Sequence, residues 1–416
     1  MSHIGQPLTL ACGQTLPNRL MKAGLSEQLS DRDHAPTVHL EHLYERWGRS
    51  GCGLTITGNV TVDRLHMAEP RNVAIEDDRD RERLSRWATA AKRGGTSIWL
   101  QLNHPGRQAN PLAGRTRPVA PSAVALAVPG APRPRALTGR EIEATVLRFA
   151  TAAAVAKECG FDGVQLHGAH GYLISQFLSP LANKRDDDWG GDLQRRMRFP
   201  VEVLRAVRAA VGDRFAVGIK LNSADFQRGG FTEDESEKVV ACLAGEQIDL
   251  IEISGGTFEQ PAMMGSIARQ STREREAYFL TYAERVREHA KEVPLAVTGG
   301  FRSRSAMEQA LAEGACDIVG IGRPLCIDPK AARRLLDNTG HYAASGTPRI
   351  GARSLLGRFV DLHAADAFLD VQWHTDQIHR IAKGLEPDPG LPWWRSTITA
   401  VRRNGLAAIR RPRRRG

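Results

Sequence analysis

Phe215-Ala216-Val217-Gly218-Ile219-Lys220-Leu221, then Thr232 with Glu235 three residues on, then Leu250-Ile251-Glu252-Ile253-Ser254, is the stretch that decides the fold. It reads as an apolar strand, a helix opened by a capping box, and a second apolar strand. Strands that are apolar on both faces and joined through a helix belong to a parallel sheet. The same unit recurs along the chain. Strand-like runs at 20–24, 54–61, 97–102, 163–166, 215–221, 250–254, 295–298 and 317–321 alternate with helical patterns. Those patterns lie at 40–48, 79–93, 139–159, 194–211, 233–244, 273–292, 304–313 and 329–336. Eight such units predict a (β/α)8 TIM barrel, an α/β fold. The alternative, an open doubly wound sheet, would announce itself with G-x-G-x-x-G after its first strand. Gly51-Cys52-Gly53 fails that pattern because Ile56 stands at the third glycine position.

Leu8-Thr9-Leu10 and Thr15-Leu16 flank Cys12-Gly13-Gln14 and read as a hairpin closing the barrel bottom. Residues 103–137, rich in Pro, Gly and Arg, form a long loop after the third strand, on the face where barrels do chemistry. Past residue 337 the pattern changes. The expected division is a barrel over 1–337 and a C-terminal helical extension with a basic tail over 338–416.

Composition narrows the function. The chain has 416 residues and a formal charge of +10, of which eight charges are arginines after Asp388, leaving +2 on residues 1–388. A nucleic-acid groove across the body is therefore not expected. No run is long and apolar enough to span a membrane, residues 1–7 do not resemble a signal peptide, and the expected compartment is the cytoplasm. The six cysteines include no Cys-x-x-Cys pair, so buried free thiols are expected, with no metal site. In the tail, Trp393-Trp394-Arg395 and the arginine run 410–415 read as a docked segment with a solvated end. An amphipathic helix touching anionic lipid is the sharper alternative. Homo-oligomerisation stays open.

Candidate chemistry gathers at strand ends. His167-Gly168-Ala169-His170-Gly171-Tyr172 packs two imidazoles and a phenol where the fourth strand ends. Two imidazole donors suit a developing oxyanion and a phenol suits proton delivery. The bland readings are loop polarity, or a metal pair with His104 as third ligand. Gly299-Gly300 and Gly322-Arg323, after strands seven and eight, suit a phosphate cradle. Lys220 inside an apolar strand admits three readings: a salt bridge to Glu252, a Schiff-base lysine of aldolase type, or a cation beside a flavin. Gln101, also mid-barrel, suits flavin recognition by an amide.

Over residues 17–329 the chain resembles the Old Yellow Enzyme family of FMN-dependent oxidoreductases. The resemblance rests on Asn18-Arg19-Leu20-Met21, Gln101-Leu102-Asn103-His104-Pro105-Gly106-Arg107-Gln108, Pro121-Ser122-Ala123, the block from His167 to Asp188 with Trp189-Gly190-Gly191, Thr298-Gly299-Gly300 and Gly322-Arg323-Pro324. It implies that Ala23, Gly24, Leu25 and Ser26 line the isoalloxazine of FMN. Gly58 and Gln101 would contact its pyrimidine edge, with Lys220 nearby, and Gly299, Gly300, Gly322 and Arg323 would hold the phosphate. His167 and His170 would bind the carbonyl of a small-molecule substrate. NADH or NADPH would be the reductant. An α,β-unsaturated carbonyl compound would then take hydride from flavin N5 and a proton from Tyr172. An amine or a dienoyl thioester is the alternative substrate. Longer relatives add a cysteine-ligated iron–sulfur cluster; only Cys326 follows Arg323, which favours a single-flavin enzyme. Ser26 stands where many relatives carry Thr or Cys, Gly24-Leu25 where Pro-Met is commoner, and Lys220 where many carry Arg.

Overall fold

Apolar runs of four to eight residues cannot stay in water, and parallel pairing with both faces covered buries them. The structure, a computed structural model, describes residues 2–114, 116–127, 130–254, 271–301, 303–339 and 363–403. The barrel strands are β1 (Leu20–Lys22), β2 (Leu54–Thr61), β3 (Ser97–Asn103), β4 (Gly163–Gly168), β5 (Ala216–Asn222), β6 (Leu250–Ser254), β7 (Leu295–Thr298) and β8 (Ile318–Ile321). Each pairs in parallel with the next, and β8 pairs with β1, which closes the ring. Around it lie α1 (Val38–Gly48), α2 (Arg81–Lys92), α3 (Gly139–Glu158), α4 (Leu193–Val211), α5 (Glu233–Ala244), α6 (Ser271–Ala290), α7 (Arg304–Ala312) and α8 (Ala331–Leu336). The TIM barrel read from the alternation is the fold.

Two features differ from the sequence pattern for a physical reason. β4 continues two residues past the apolar run, because its ladder with β5 goes on through His167↔Lys220 and Gly168↔Leu221. Polarity ended the pattern before hydrogen bonding ended the strand, so His167 is a strand residue. β2 carries one extra residue: its register with β3 steps from Ile56↔Trp99 to Asn59↔Gln101. That bulge at Thr57-Gly58 re-aims the end of β2.

The hairpin Leu8–Thr9/Thr15–Leu16 forms as expected. Leu10 and Leu16 pack against Met21, Leu54, Ile56, Trp99, Ala216, Leu250, Ala296 and Ile318, sealing the barrel bottom with a dry apolar layer. Thr232 and Glu235 make the capping box that opens α5. All six cysteines are free.

The extension contributes α9 (His363–Ala382) and α10 (Trp393–Val401). Trp373 and Ile378 on α9 are buried, and His379 Nε2 donates to the Glu27 carbonyl at 2.9 Å. Burial pushes the His379 imidazole down to about 3, so it is a neutral donor at neutral pH. The arginine run 410–415 lies outside the described residues.

Candidate active site

Above the apolar layer the barrel interior turns polar. Gln101 Nε2 donates to Gln165 Oε1 at 2.7 Å, and Gln165 Nε2 donates to Glu252 Oε2 at 2.7 Å. Glu252 is ion-paired with Lys220 Nζ at 2.9 Å. All four are buried, so each polar group needs its neighbour. The registers Gln101↔Gln165, Lys220↔His167 and Lys220↔Glu252 place them on one inward face. Of the three readings of Lys220, the salt bridge to Glu252 is the one observed, and it keeps the amine engaged with a carboxylate.

Level with Lys220 on the neighbouring strand, two residues beyond Gln165, is His167, followed by His170 and Tyr172. The His167 and His170 ring centroids are 5.1 Å apart, and those of His167 and Tyr172 are 4.7 Å apart, both edge to face. His167 Nδ1 accepts from the Ala169 N–H at 3.3 Å, which leaves its Nε2 as the protonated nitrogen. His170 adopts φ 59°, fixed by its N–H donating to Asn222 Oδ1 at 3.1 Å and its carbonyl accepting from Gln108 Nε2 at 2.8 Å. Its Nε2 lies 2.8 Å from Ser254 Oγ. Desolvation, with the Lys220 charge behind it, holds both imidazoles well below the usual histidine range, so they are neutral at pH 7. Tyr172 Oη accepts from Asn59 Nδ2 at 3.2 Å. Burial, then the charge of Glu69, push its phenol above its ordinary value, so it keeps its proton.

The loop after β1 runs beside this group. Ala23 donates its N–H to the Ile321 carbonyl at 2.9 Å, tying the loop to the end of β8. A Cβ on Gly24 would stand 2.8 Å from Gln101 Nε2, and a Cβ on Gly322 would meet Leu25 Cδ2 at 3.7 Å. Ala23, Gly24, Leu25, Gln101 and Gly322 are thus gathered at one place. The Ser26 hydroxyl donates to Glu69 and accepts from Asn72 Nδ2 at 3.0 Å. The Gly58 N–H is committed to Glu27 Oε1 at 2.7 Å, with the Tyr44 hydroxyl 3.2 Å away. Gly58 therefore contributes close approach rather than a free donor: a Cβ there would lie 2.2 Å from the Leu25 carbonyl.

The glycine turns expected to cradle a phosphate follow β7 and β8. Gly299 and Gly300 have φ 105° and 92°, a conformation side chains resist. Thr298 Oγ1, just before them, is buried and has no hydrogen-bond partner among the described residues. The Arg323 guanidinium is not free: Nη1 donates to Asp370 Oδ2 at 2.9 Å, from helix α9 of the extension. Asp370 in turn lies 3.1 Å from His374 Nδ1.

The metal reading of the histidines does not hold. His104 lies with Asp63 and His66, the one group among the described residues with metal-ligand spacing, and not with His167 and His170. Asp63 Oδ2 is 2.8 Å from His66 Nδ1 and 3.7 Å from His104 Nε2. Burial alone would raise the Asp63 carboxyl, but hydrogen bonds from His104 and His66 hold it far below the usual range. With Arg148 Nη1 3.9 Å from its other oxygen, this is a self-sufficient polar clamp between the ends of β2 and β3.

A profile of the NADH:flavin oxidoreductase / NADH oxidase family matches residues 3–340. The chain belongs to this family. It is 38% identical over 361 residues to the NADH-dependent flavin oxidoreductase iliE of Hypocrea jecorina (strain QM6a), covering 81% of this chain and 89% of that one. It is 35% identical over 412 residues to the NADH-dependent flavin oxidoreductase iccE of Talaromyces variabilis, covering 92% and 98%. Among solved structures it resembles morphinone reductase in complex with tetrahydroNAD, with a TM-score of 0.66 at 27% identity over 82% of this chain and 92% of that one. It also resembles a 2-naphthoyl-CoA reductase complex, with a TM-score of 0.75 at 26% identity over 81% of this chain and 52% of that chain.

This flavin oxidoreductase is therefore an FMN- and NADH-dependent enzyme of the Old Yellow Enzyme type. The residues present fit the cofactor. Left-handed glycines open the cradle, the Thr298 hydroxyl and Arg323 would supply donors for a phosphate, and side-chain-free Gly24 lets the loop backbone approach the Gln101 amide closely. Sequence reasoning missed Asn59, Gln165, Ser254, Glu69 and Asp370. Only Gln165 carried a local signal, a polar residue at an inward position of an apolar strand.

Proposed function

We propose that this enzyme reduces the C=C bond of α,β-unsaturated carbonyl compounds. One observation carries the reading: two neutral imidazoles and a protonated phenol in edge-to-face contact at the end of β4. FMN, once reduced by NADH, supplies the hydride. His167 presents Nε2–H to the substrate oxygen, and losing one such donor costs roughly 3–4 kcal/mol of transition-state stabilisation. The Ser254 hydroxyl, by donating to His170 Nε2, would keep the proton of that ring on Nδ1. Tyr172, held by Asn59, delivers a proton to the carbon next to the carbonyl, a step worth about 10²–10⁴-fold. Enclosure of the group excludes water that would compete for the oxyanion.

Two relatives are named for unsaturated acceptors: an NADH:fumarate oxidoreductase of Klebsiella pneumoniae (strain 342), 33% identical, and an NADH:acrylate oxidoreductase of Vibrio harveyi, 29% identical, of whose lengths this chain spans 36% and 33%. In the aldolase alternative Lys220 would be a free nucleophile, whereas its Nζ is paired with Glu252. The test is stopped-flow spectroscopy with cyclohexenone. Tyr172→Phe should leave flavin reduction by NADH intact and slow reoxidation by the enone about 10²–10⁴-fold. Unchanged reoxidation would remove Tyr172 from the proton step, and no reoxidation even in the unaltered enzyme would discard the substrate class.

A further inference from the structure

Helix α10 turns an apolar face outward. Trp394, Ile398 and Val401, four and three residues apart, are 48%, 45% and 64% exposed, and Trp393 is 41% exposed. Ser396 and Ala400, on the opposite side, are buried. Five of the seven tryptophans (Trp47, Trp87, Trp99, Trp189 and Trp373) are buried, so the two adjacent indoles left in solvent are an exception within this chain. Indoles have an apolar body and one N–H, which suits the boundary between headgroups and acyl chains.

The charge pattern selects the occupant. After Asp388 the chain carries eight arginines and no Lys, Asp or Glu. Arg395 lies over the Trp394 ring at 5.3 Å, and Arg403 pairs with Asp376 of α9. A second copy of this chain would bring arginines against arginines, with no acid in the segment to offset them. A nucleic acid would satisfy the arginines and leave Ile398 and Val401 against phosphates. An anionic bilayer satisfies both, since its headgroups attract the arginines and its interface accepts the apolar stripe. The helix also lies by the active site, because Arg403 feels the charge of Glu69, the carboxylate that accepts from Ser26.

We propose that α10 is a docking surface for an anionic lipid membrane, with Trp393, Trp394, Ile398 and Val401 in the headgroup boundary and the arginine-rich sequence from residue 395 on supplying the charge attraction. The test is vesicle flotation of the full FMN-loaded chain. Vesicles of phosphatidylcholine with roughly a third phosphatidylserine should carry the protein at low salt. About 1 M NaCl, which screens charges beyond about 3 Å, should release it. Phosphatidylcholine alone should bind on the order of tenfold more weakly. Brominated lipid should quench part of the tryptophan emission, and with five indoles buried that signal reports Trp393 and Trp394. The double variant W393S/W394S, altered only at exposed side chains, should keep its turnover in solution. It should lose the quenching and partition on the order of tenfold less. Absence of flotation at low salt overturns the proposal. So does flotation without quenching that the variant leaves unchanged, which would assign binding to the arginines alone. Binding of a DNA duplex without vesicle binding, or a dimer that W393S/W394S dissolves without vesicle binding, would assign the surface to another occupant and equally overturn it.

Discussion

Replacing Glu252 by Gln should destabilise the barrel far more than removing its whole ion pair. Lys220 Nζ and Glu252 Oε1 are 2.9 Å apart with side chains 4% and 0% exposed. At that separation and an effective dielectric constant of about 20, two unit charges attract by about 6 kcal/mol. Desolvation offsets much of that in the native protein. A variant lacking one charge keeps the desolvation cost and loses the attraction. Removing one partner of a buried pair costs about 3–5 kcal/mol, a large part of the roughly 5–15 kcal/mol that holds a domain folded. Glu252→Gln can still accept from Gln165, so the loss isolates the charge on Lys220. The double variant K220M/E252L replaces both groups by apolar ones of similar size and should return to within about 2 kcal/mol of the parent. The assay is urea unfolding of the FMN-free proteins at pH 7, followed by circular dichroism, with K220M and E252L completing a double-mutant cycle. A coupling energy below about 0.5 kcal/mol, the level of independent sites, would refute the reasoning.

Three further outcomes follow from the site. Gly300→Ala, at φ 92°, should cost at least about 1–2 kcal/mol of stability and weaken FMN binding, read by thermal melts with and without FMN; an unchanged melt would remove the strain argument. Arg323→Met should weaken FMN by the equivalent of about 1.5–3 kcal/mol, roughly 10–150-fold, and leave riboflavin, which lacks the phosphate, nearly unchanged in fluorescence titrations. Equal losses for both would place Arg323 off the phosphate. Finally, His167, His170 and His379 are held below their ordinary value by burial, so below pH about 6.5 the unfolded chain binds protons the native chain refuses. Stability is then complete above that value and falls as pH drops, by up to about 1.4 kcal/mol per unit for buried His167 and down to about pH 3 for His379. Melting temperatures that hold constant from pH 7 to pH 5 would contradict this.

The barrel was legible because its strands are short apolar runs set off by capped helices. β6 was readable to its bounds and β5 to within one residue at each end, and Lys220 opposite Glu252 could be paired before any register was known. The His167–Tyr172 group was legible because six consecutive residues hold it all. What escaped were partners brought in from afar. Glu69 reaches Ser26 from 43 residues away, and Asp370 reaches Arg323 from 47. His104 sits with Asp63 rather than with the other imidazoles because the ends of β2 and β3 are neighbours in the ring. Nothing in the local pattern marks such pairs.

By itself, then, the amino-acid sequence determined the periodicity of strands and helices, the inward lysine, and the residue types of the chemistry, since these depend on neighbours within a few positions. Only the tertiary structure decided protonation, tautomer and who holds whom. Burial, the Lys220 charge, the acceptor Asn222 and the donor Asn59 arrive from other strands. Their effect depends on distances of a few ångströms that exist only once the ring has closed.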